Sequence, residues 1–307
     1  MCDHSRRNFD DGPGKNEQQK SGMIAMVGKG ISHPKLPLRQ TIRLSYSSYF
    51  EHFRDGLRIS AFWLAIAAMF DAAMGWMQAT WMAHIVEDPR AGPDLTPPVE
   101  MTVLDNIGSV VVVFACVSIA VAWHRLLLLE ERPGRSGGNL ATSALWLYAS
   151  AAIVICLLAA IPFLALLLAT WAFDWAPASS EAIEPQTPFL IAAAIAAYAT
   201  GAAILLRLCL LLPACAIGDL TLTITGAWRR SRGNSWRLFW GIVACIGPTA
   251  VIVGVVFLIM VSIPVPTGFY RVQWAASAAI GICCWLITWP IWIAFLTHAF
   301  RFLARPA

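Results

Sequence analysis

Charge is what this sequence has least of. Only 13% of its 307 residues are Asp, Glu, Lys or Arg, whereas a soluble globular chain carries about a quarter. So few charges cannot cover a water-facing surface, so much of this chain needs another solvent. Signatures that carry chemistry by themselves are also missing. There is no GxxxxGK[ST], HExxH, GxSxG or EF-hand pattern, and with them go the usual marks of nucleotide, zinc-protease, esterase and calcium sites. Gly28-Lys29-Gly30 lacks the rest of a phosphate loop. No CxxC occurs, and Cys283-Cys284 has no His or acidic neighbour to complete a metal site. Neither metal nor cofactor is expected. Of the eight cysteines, all but Cys2 fall in apolar stretches. They read as small buried apolar residues, not as an exported disulfide framework. The basic N-terminal tail has no interleaved aromatics, so nucleic acid is not an expected partner.

What is present is apolar: 58% of the residues, with 14 Trp. Six runs reach the roughly 20 residues a spanning helix needs, at about 59–84, 107–129, 143–172, 189–216, 238–262 and 273–300. The expected fold is therefore all-α, a polytopic membrane protein with six transmembrane helices. No cleavable signal peptide precedes them, because the first ~58 residues are polar and basic. Residues 1–40 read as a disordered cytoplasmic tail, with Gly12-Pro13-Gly14 and few apolar side chains. Met23 and Met26 offer alternative starts.

Orientation follows from the basic residues. Twenty of the 22 Lys and Arg lie in the tail, in the loops after the second and fourth spans, or at the C-terminus. The other three loops hold only Arg90 and Arg271, beside eight acidic residues. Basic residues resist translocation, so both termini are expected in the cytoplasm. The alternation also requires an even number of spans.

The chain reads as three pseudo-repeated hairpins. Arg125-Leu-Leu-Leu-Leu recurs as Arg207-Leu-Cys-Leu-Leu-Leu, with an echo at Arg301-Phe-Leu. Arg135-Ser-Gly-Gly-Asn139 matches Arg230-Ser-Arg-Gly-Asn234. Two amphipathic stretches flank the spans. Residues 41–58 place Ile42, Tyr46, Tyr49, Phe50, Phe53 and Leu57 at helical spacing, which suits one interfacial helix leading into the first span. Thr221 to Arg230 is the second, with Ile224 and Trp228 four apart and Gly233 available as a stop.

Two sets of residues are candidates for function. Asp71 sits near the middle of the first span, and Gln78 shares its face with Gly75 between. An Asp there costs about 2.5–3.5 kcal/mol to insert, so it is either a proton or cation site or a protonated group bonded to a neighbouring helix. His124, Arg125, Arg207, His298 and Arg301 cap the even-numbered spans and would form a ring for phosphate or anionic lipid headgroups if those helices converge. Otherwise they are charges at helix C-termini, favourable on their own account. Pro162, Pro248 and Pro290 interrupt three spans, and Trp285, Trp289 and Trp292 line one face of the sixth.

Leu36-Pro37-Leu38-Arg39-Gln40-Thr41-Ile42, Ser45-Tyr46, Tyr49-Phe50, Trp123-His124-Arg125, Arg207 with Leu211 and Pro213, Ala227-Trp228-Arg229 and Arg232-Gly233-Asn234 carry a resemblance over roughly residues 36–304. In them the chain resembles uncharacterised six-helix bacterial inner-membrane proteins, akin to the membrane domain fused to some glycerophosphoryl diester phosphodiesterases. The resemblance implies a bacterial inner-membrane location and a fold. It implies no activity, since the chain has no phosphodiesterase domain. The function expected is therefore non-enzymatic: membrane organisation, or binding of lipid, a protein partner or a second copy. The alternatives are a small-solute or ion transporter using Asp71 and, with less in its favour, a membrane-embedded enzyme acting on lipid.

Overall fold

The computed structural model describes residues 35–87, 97–132, 143–174, 186–262 and 270–304. The tail before residue 35, Cys2, the Arg135 to Asn139 half of the loop repeat and most of the acidic loops lie outside the described residues. Among the described residues there are nine helices and no strand. They are α1 (Leu38–Glu51), α2 (Phe53–Glu87), α3 (Val99–Leu129), α4 (Ser143–Asp174), α5 (Gln186–Leu208), α6 (Leu211–Ala216), α7 (Ile224–Arg230), α8 (Ser235–Ser262) and α9 (Tyr270–Ala304). Six helical segments are long and apolar enough to cross a membrane, with α5 and α6 counted together. The chain is an all-α polytopic membrane protein.

Two expected boundaries move. The interfacial helix expected over 41–58 ends at Glu51, and Phe53 to Arg58 belong to the first spanning helix. The fourth span, expected as one helix, divides at Cys209-Leu210. Pro213 is the cause: it has no N–H to donate to the Cys209 carbonyl, and Leu212 N–H bonds that carbonyl instead at 3.2 Å, a tighter turn. Pro162, Pro248 and Pro290 sit inside α4, α8 and α9, which continue past them.

Consecutive spans pack as pairs, α2 with α3, α4 with α5 and α8 with α9. Each pair closes over a glycine. A Cβ on Gly56 of α2 would lie 2.3 Å from the Trp123 ring of α3; on Gly201 of α5, 2.7 Å from the Ala159 carbonyl oxygen of α4; on Gly241 of α8, 1.9 Å from the Phe295 ring of α9. Small residues that let helices approach are how membrane bundles gain van der Waals contact, since lipid removes most of the hydrophobic drive between helices.

α9 is the hub. It touches α1, α2, α3, α6, α7 and α8, and Ile293, Ala294, Phe295, Leu296, Ala299 and Phe300 have no exposed surface. By contrast, α4, α5 and α8 turn Leu157, Leu167, Phe189, Ile195 and Phe257 outward. An apolar exterior of this extent is what a hydrocarbon solvent requires.

The arginine-rich helix ends gather at one end of the bundle, where they close each other's carbonyls. Arg301 of α9 donates to the Leu127 carbonyl in the last turn of α3, and Arg230 of α7 to the Ala304 carbonyl that ends α9. Arg125 of α3 donates to the Ala216 carbonyl that ends α6, at 3.3 Å. A helix leaves its last four carbonyls without partners, and a cation there also meets the negative end of the helix dipole.

α1 docks on the same end. Its buried face carries Thr41, Ser45, Ser48 and Tyr49, with Ile42 and Tyr46 half-buried against the core, while Phe50 is exposed. The small hydroxyl residues bring α1 close to α9, and Tyr49 packs beside Trp123 of α3. Leu36 anchors its start: its N–H donates to Asn234 Oδ1 at 2.8 Å, and its carbonyl accepts from Arg237 at 2.6 Å. Gly233 holds the turn that presents Asn234, with φ of 78°, a conformation that favours glycine.

Candidate functional site: a tryptophan-edged basic groove

The ring expected from His124, Arg125, Arg207, His298 and Arg301 does not form as a ring. The ends of α3 and α9 do meet. α5 instead packs on α4, α7 and α8, so Arg207 goes elsewhere. His124 is fully buried, its Nδ1 2.7 Å from Thr297 Oγ1 and its ring 5.8 Å from that of Tyr148. It cannot reach a headgroup. Arg125 is held by Glu131 in a two-pronged pair, Nε to Oε2 at 2.8 Å and Nη2 to Oε1 at 3.0 Å, which neutralises it. Arg301 is spent on the Leu127 carbonyl. His298 Nε2 lies 2.8 Å from Ser48 Oγ and serves to dock α1.

Arg207 is different. Its guanidinium carbon lies 4.5 Å from the centre of the Trp228 ring, and its Nε donates to Ser235 Oγ at 3.3 Å. A cation over an indole face is held by the ring quadrupole while its edge stays free to donate. Next to Trp228 on α7 is Arg229, exposed and with no ion pair among the described residues. Arg207 thus stacks on the Trp228 ring, and Arg229 follows Trp228 on the same short helix.

Trp228 and Arg229 form the mouth of a groove of about 570 Å³ between α4, α5 and α7. Its floor is apolar, with Ile161 and Pro162 from α4 and Ile204 from α5, and Thr225 joins Arg229 at the rim. Along α5 the lining runs from Leu208 to Thr200, which at 1.5 Å per residue is about 12 Å of depth. Thr223 caps the start of α7 by accepting from Gly226 N–H at 3.1 Å, which fixes the short helix across the groove. Trp236 and Trp240 at the start of α8 are exposed nearby in the chain, as expected where helices cross the headgroup layer. The arrangement is amphiphilic: the Arg229 cation and the Thr225 hydroxyl at the rim, a hydrocarbon trough behind.

Asp71 stands apart from this. It is the nineteenth of the 35 residues of α2 and is exposed on the bundle surface. It lines a crevice of about 180 Å³ with Leu64 and Ala67 of α2, Val112 and Ala115 of α3, and Gly281 and Trp285 of α9. Gln78 is half-buried and not part of that crevice, and Gly75 between them is buried. They lie on one side of the unbroken helix α2, with burial that differs along it. Among the described residues neither side chain has a hydrogen bond or ion pair, so the expected bond from Asp71 to a neighbouring helix is not made there.

Among the described residues no three His, Cys, Asp or Glu side chains come together. Cys209, Cys215 and Cys245 are buried as expected, whereas Cys156 faces outward on α4. The groove itself was only half visible in the sequence. Arg207 and the α7 stretch could be singled out by charge and spacing, but the stacking of Arg207 on Trp228, and the meeting of Trp228 and Arg229 with Pro162 of α4, depend on helix packing that no local signal carries.

No family model matches the chain, and no curated protein or solved structure matches it.

Proposed function

We propose that this chain is a non-enzymatic protein of a bacterial inner membrane that holds an anionic phospholipid in the groove between α4, α5 and α7. One observation carries the reading: Trp228 and Arg229 line an apolar trough, and Arg207 stacks on that same Trp228 at 4.5 Å. Two guanidinium groups in a low-dielectric interface match a phosphate, which they bind by paired N–H donors. The trough takes an acyl chain, and Thr225 offers a hydroxyl at the rim. Arg125 takes no part, because Nε and Nη2 hold Glu131 and Nη1 the Ala216 carbonyl, and Arg301 does not line the groove. In this reading the arginine-rich end and both termini face the cytoplasm, where anionic lipid gives basic residues about 1 kcal/mol each. The relation to the six-helix inner-membrane proteins is part of the same proposal.

Native mass spectrometry of protein purified in mild detergent tests it. The wild type should retain one anionic phospholipid, and Arg207→Gln with Arg229→Gln should lose it while Arg125→Gln keeps it. Equal retention by the double variant would sink the proposal. A transport role is the second reading, favoured by the carboxyl of Asp71, which has no partner among the described residues. It requires flux in proteoliposomes that Asp71→Asn abolishes.

A further inference from the structure

An unpaired carboxyl in the hydrocarbon layer is expensive, and such residues mark ligand or ion paths more often than not. Here the surroundings of Asp71 narrow what the ligand can be. A bare metal ion needs several oxygen ligands, and among the described residues the crevice has only the one carboxyl. Its other described walls are Leu64, Ala67, Val112, Ala115 and Trp285. Those walls suit methyl groups and an indole face. Trp285 itself is held by stacking on Trp289, with centroids 5.9 Å apart and planes at 13°, and Trp289 packs in turn on Trp292 at 5.0 Å. The indole is thus fixed in place beside the carboxyl.

The size and access agree. A cavity of about 150 Å³ holds a benzene-sized group, and this one measures about 180 Å³. Asp71 and Val112 are both exposed on the outside of the bundle, so the crevice opens sideways to the bilayer and not only along the helix axis. A tail too large for the crevice can remain among lipid chains.

From this geometry we infer that the Asp71 crevice binds the cationic head of a lipophilic amine, a trimethylammonium-like group entering from the bilayer. The carboxylate supplies the counter-charge, Trp285 the aromatic face that such cations favour, and the alanine and leucine walls the methyl contacts. The site is separate from the anionic-lipid groove and takes a ligand of opposite charge. It does not depend on that groove being occupied.

Dodecyltrimethylammonium, with an uncharged dodecyl ether of similar length as control, is the probe. Both are titrated into the purified full chain in nonionic detergent, and adducts are read by native mass spectrometry. The wild type should hold one equivalent of the cation and none of the control. Asp71→Asn should weaken cation binding at least about ten-fold, and Asp71→Glu should keep most of it. Elution as a single species with the thermal midpoint of the wild type shows that Asp71→Asn is folded. Cation binding that is unchanged in Asp71→Asn, or matched by the uncharged control, overturns the inference. Loss of cation binding in the folded Asp71→Asn variant supports it, whatever the fate of the groove proposal in its own test.

Discussion

Adding one methyl group at Gly241 should loosen the α8–α9 hairpin. The Cβ of Gly241→Ala would fall 1.9 Å from Cζ of Phe295, 2.3 Å from Cε2 and 2.8 Å from Cε1. Ordinary contact begins near 3.4 Å, so the ring or the helix must retreat by about 1.5 Å. Phe295 has no exposed surface and stands on the hub helix, with packed neighbours on every side. Overpacking of this kind costs about 1–3 kcal/mol, and so large an overlap belongs at the upper end. Alanine returns up to about 1 kcal/mol of helix propensity, leaving a net loss of about 2 kcal/mol. Thermal denaturation in detergent, followed by size-exclusion chromatography, reads this as a drop of several degrees. Gly247 and Gly254 on the same helix are the internal controls, since a Cβ on either meets nothing within 4 Å. Gly247→Ala should be neutral or stabilising. Shortening the opposing ring with Phe295→Leu should recover part of the loss, so that the double variant is more stable than the sum of the singles predicts. Gly241→Ala as stable as wild type, or strict additivity with Phe295→Leu, would refute the close approach of α8 and α9.

Asn234→Ala removes the acceptor of the buried Leu36 N–H and should cost about 1–3 kcal/mol; hydrogen exchange over residues 36–51 should speed up while α9 stays protected, and unchanged exchange would count against the anchor. The docking of α1 should also weaken at high pH. Burial pushes the phenols of Tyr46 and Tyr49 above their ordinary value of 10.0, and Tyr46 donates to the Ala244 carbonyl at 3.0 Å. The folded state holds these protons more tightly than the unfolded one, so their contribution is complete below about pH 10 and is lost as pH rises from there through the raised values. Tyrosinate absorbance with limited proteolysis of α1 checks it, and ionisation at the ordinary value with α1 still docked would contradict it.

Length and hydropathy alone determined the class of this protein and its six spans, because crossing hydrocarbon demands an unbroken apolar run and a helix that satisfies its own backbone. The same runs placed Pro162, Pro248 and Pro290 inside helices. They also put Arg207 and Arg301 in last turns and Arg125 one turn from the end of α3. Tertiary structure decided what those residues do. Arg125 and Arg301 stand at helix ends just as Arg207 does, and nothing in the chain's order distinguishes them. Only the packing of α3 against α9 and α6 turns the first two onto carbonyls, while the path of α5 toward α7 leaves Arg207 over Trp228. The same holds for α1, whose apolar spacing did not show that Thr41, Ser45 and Ser48 are buried along with Tyr49 while Phe50 is exposed, and for Asp71, whose neighbours Val112, Ala115 and Trp285 come from two other helices. Periodicity reports which residues share a face; which face a helix buries, and against what, is set by the shapes it meets.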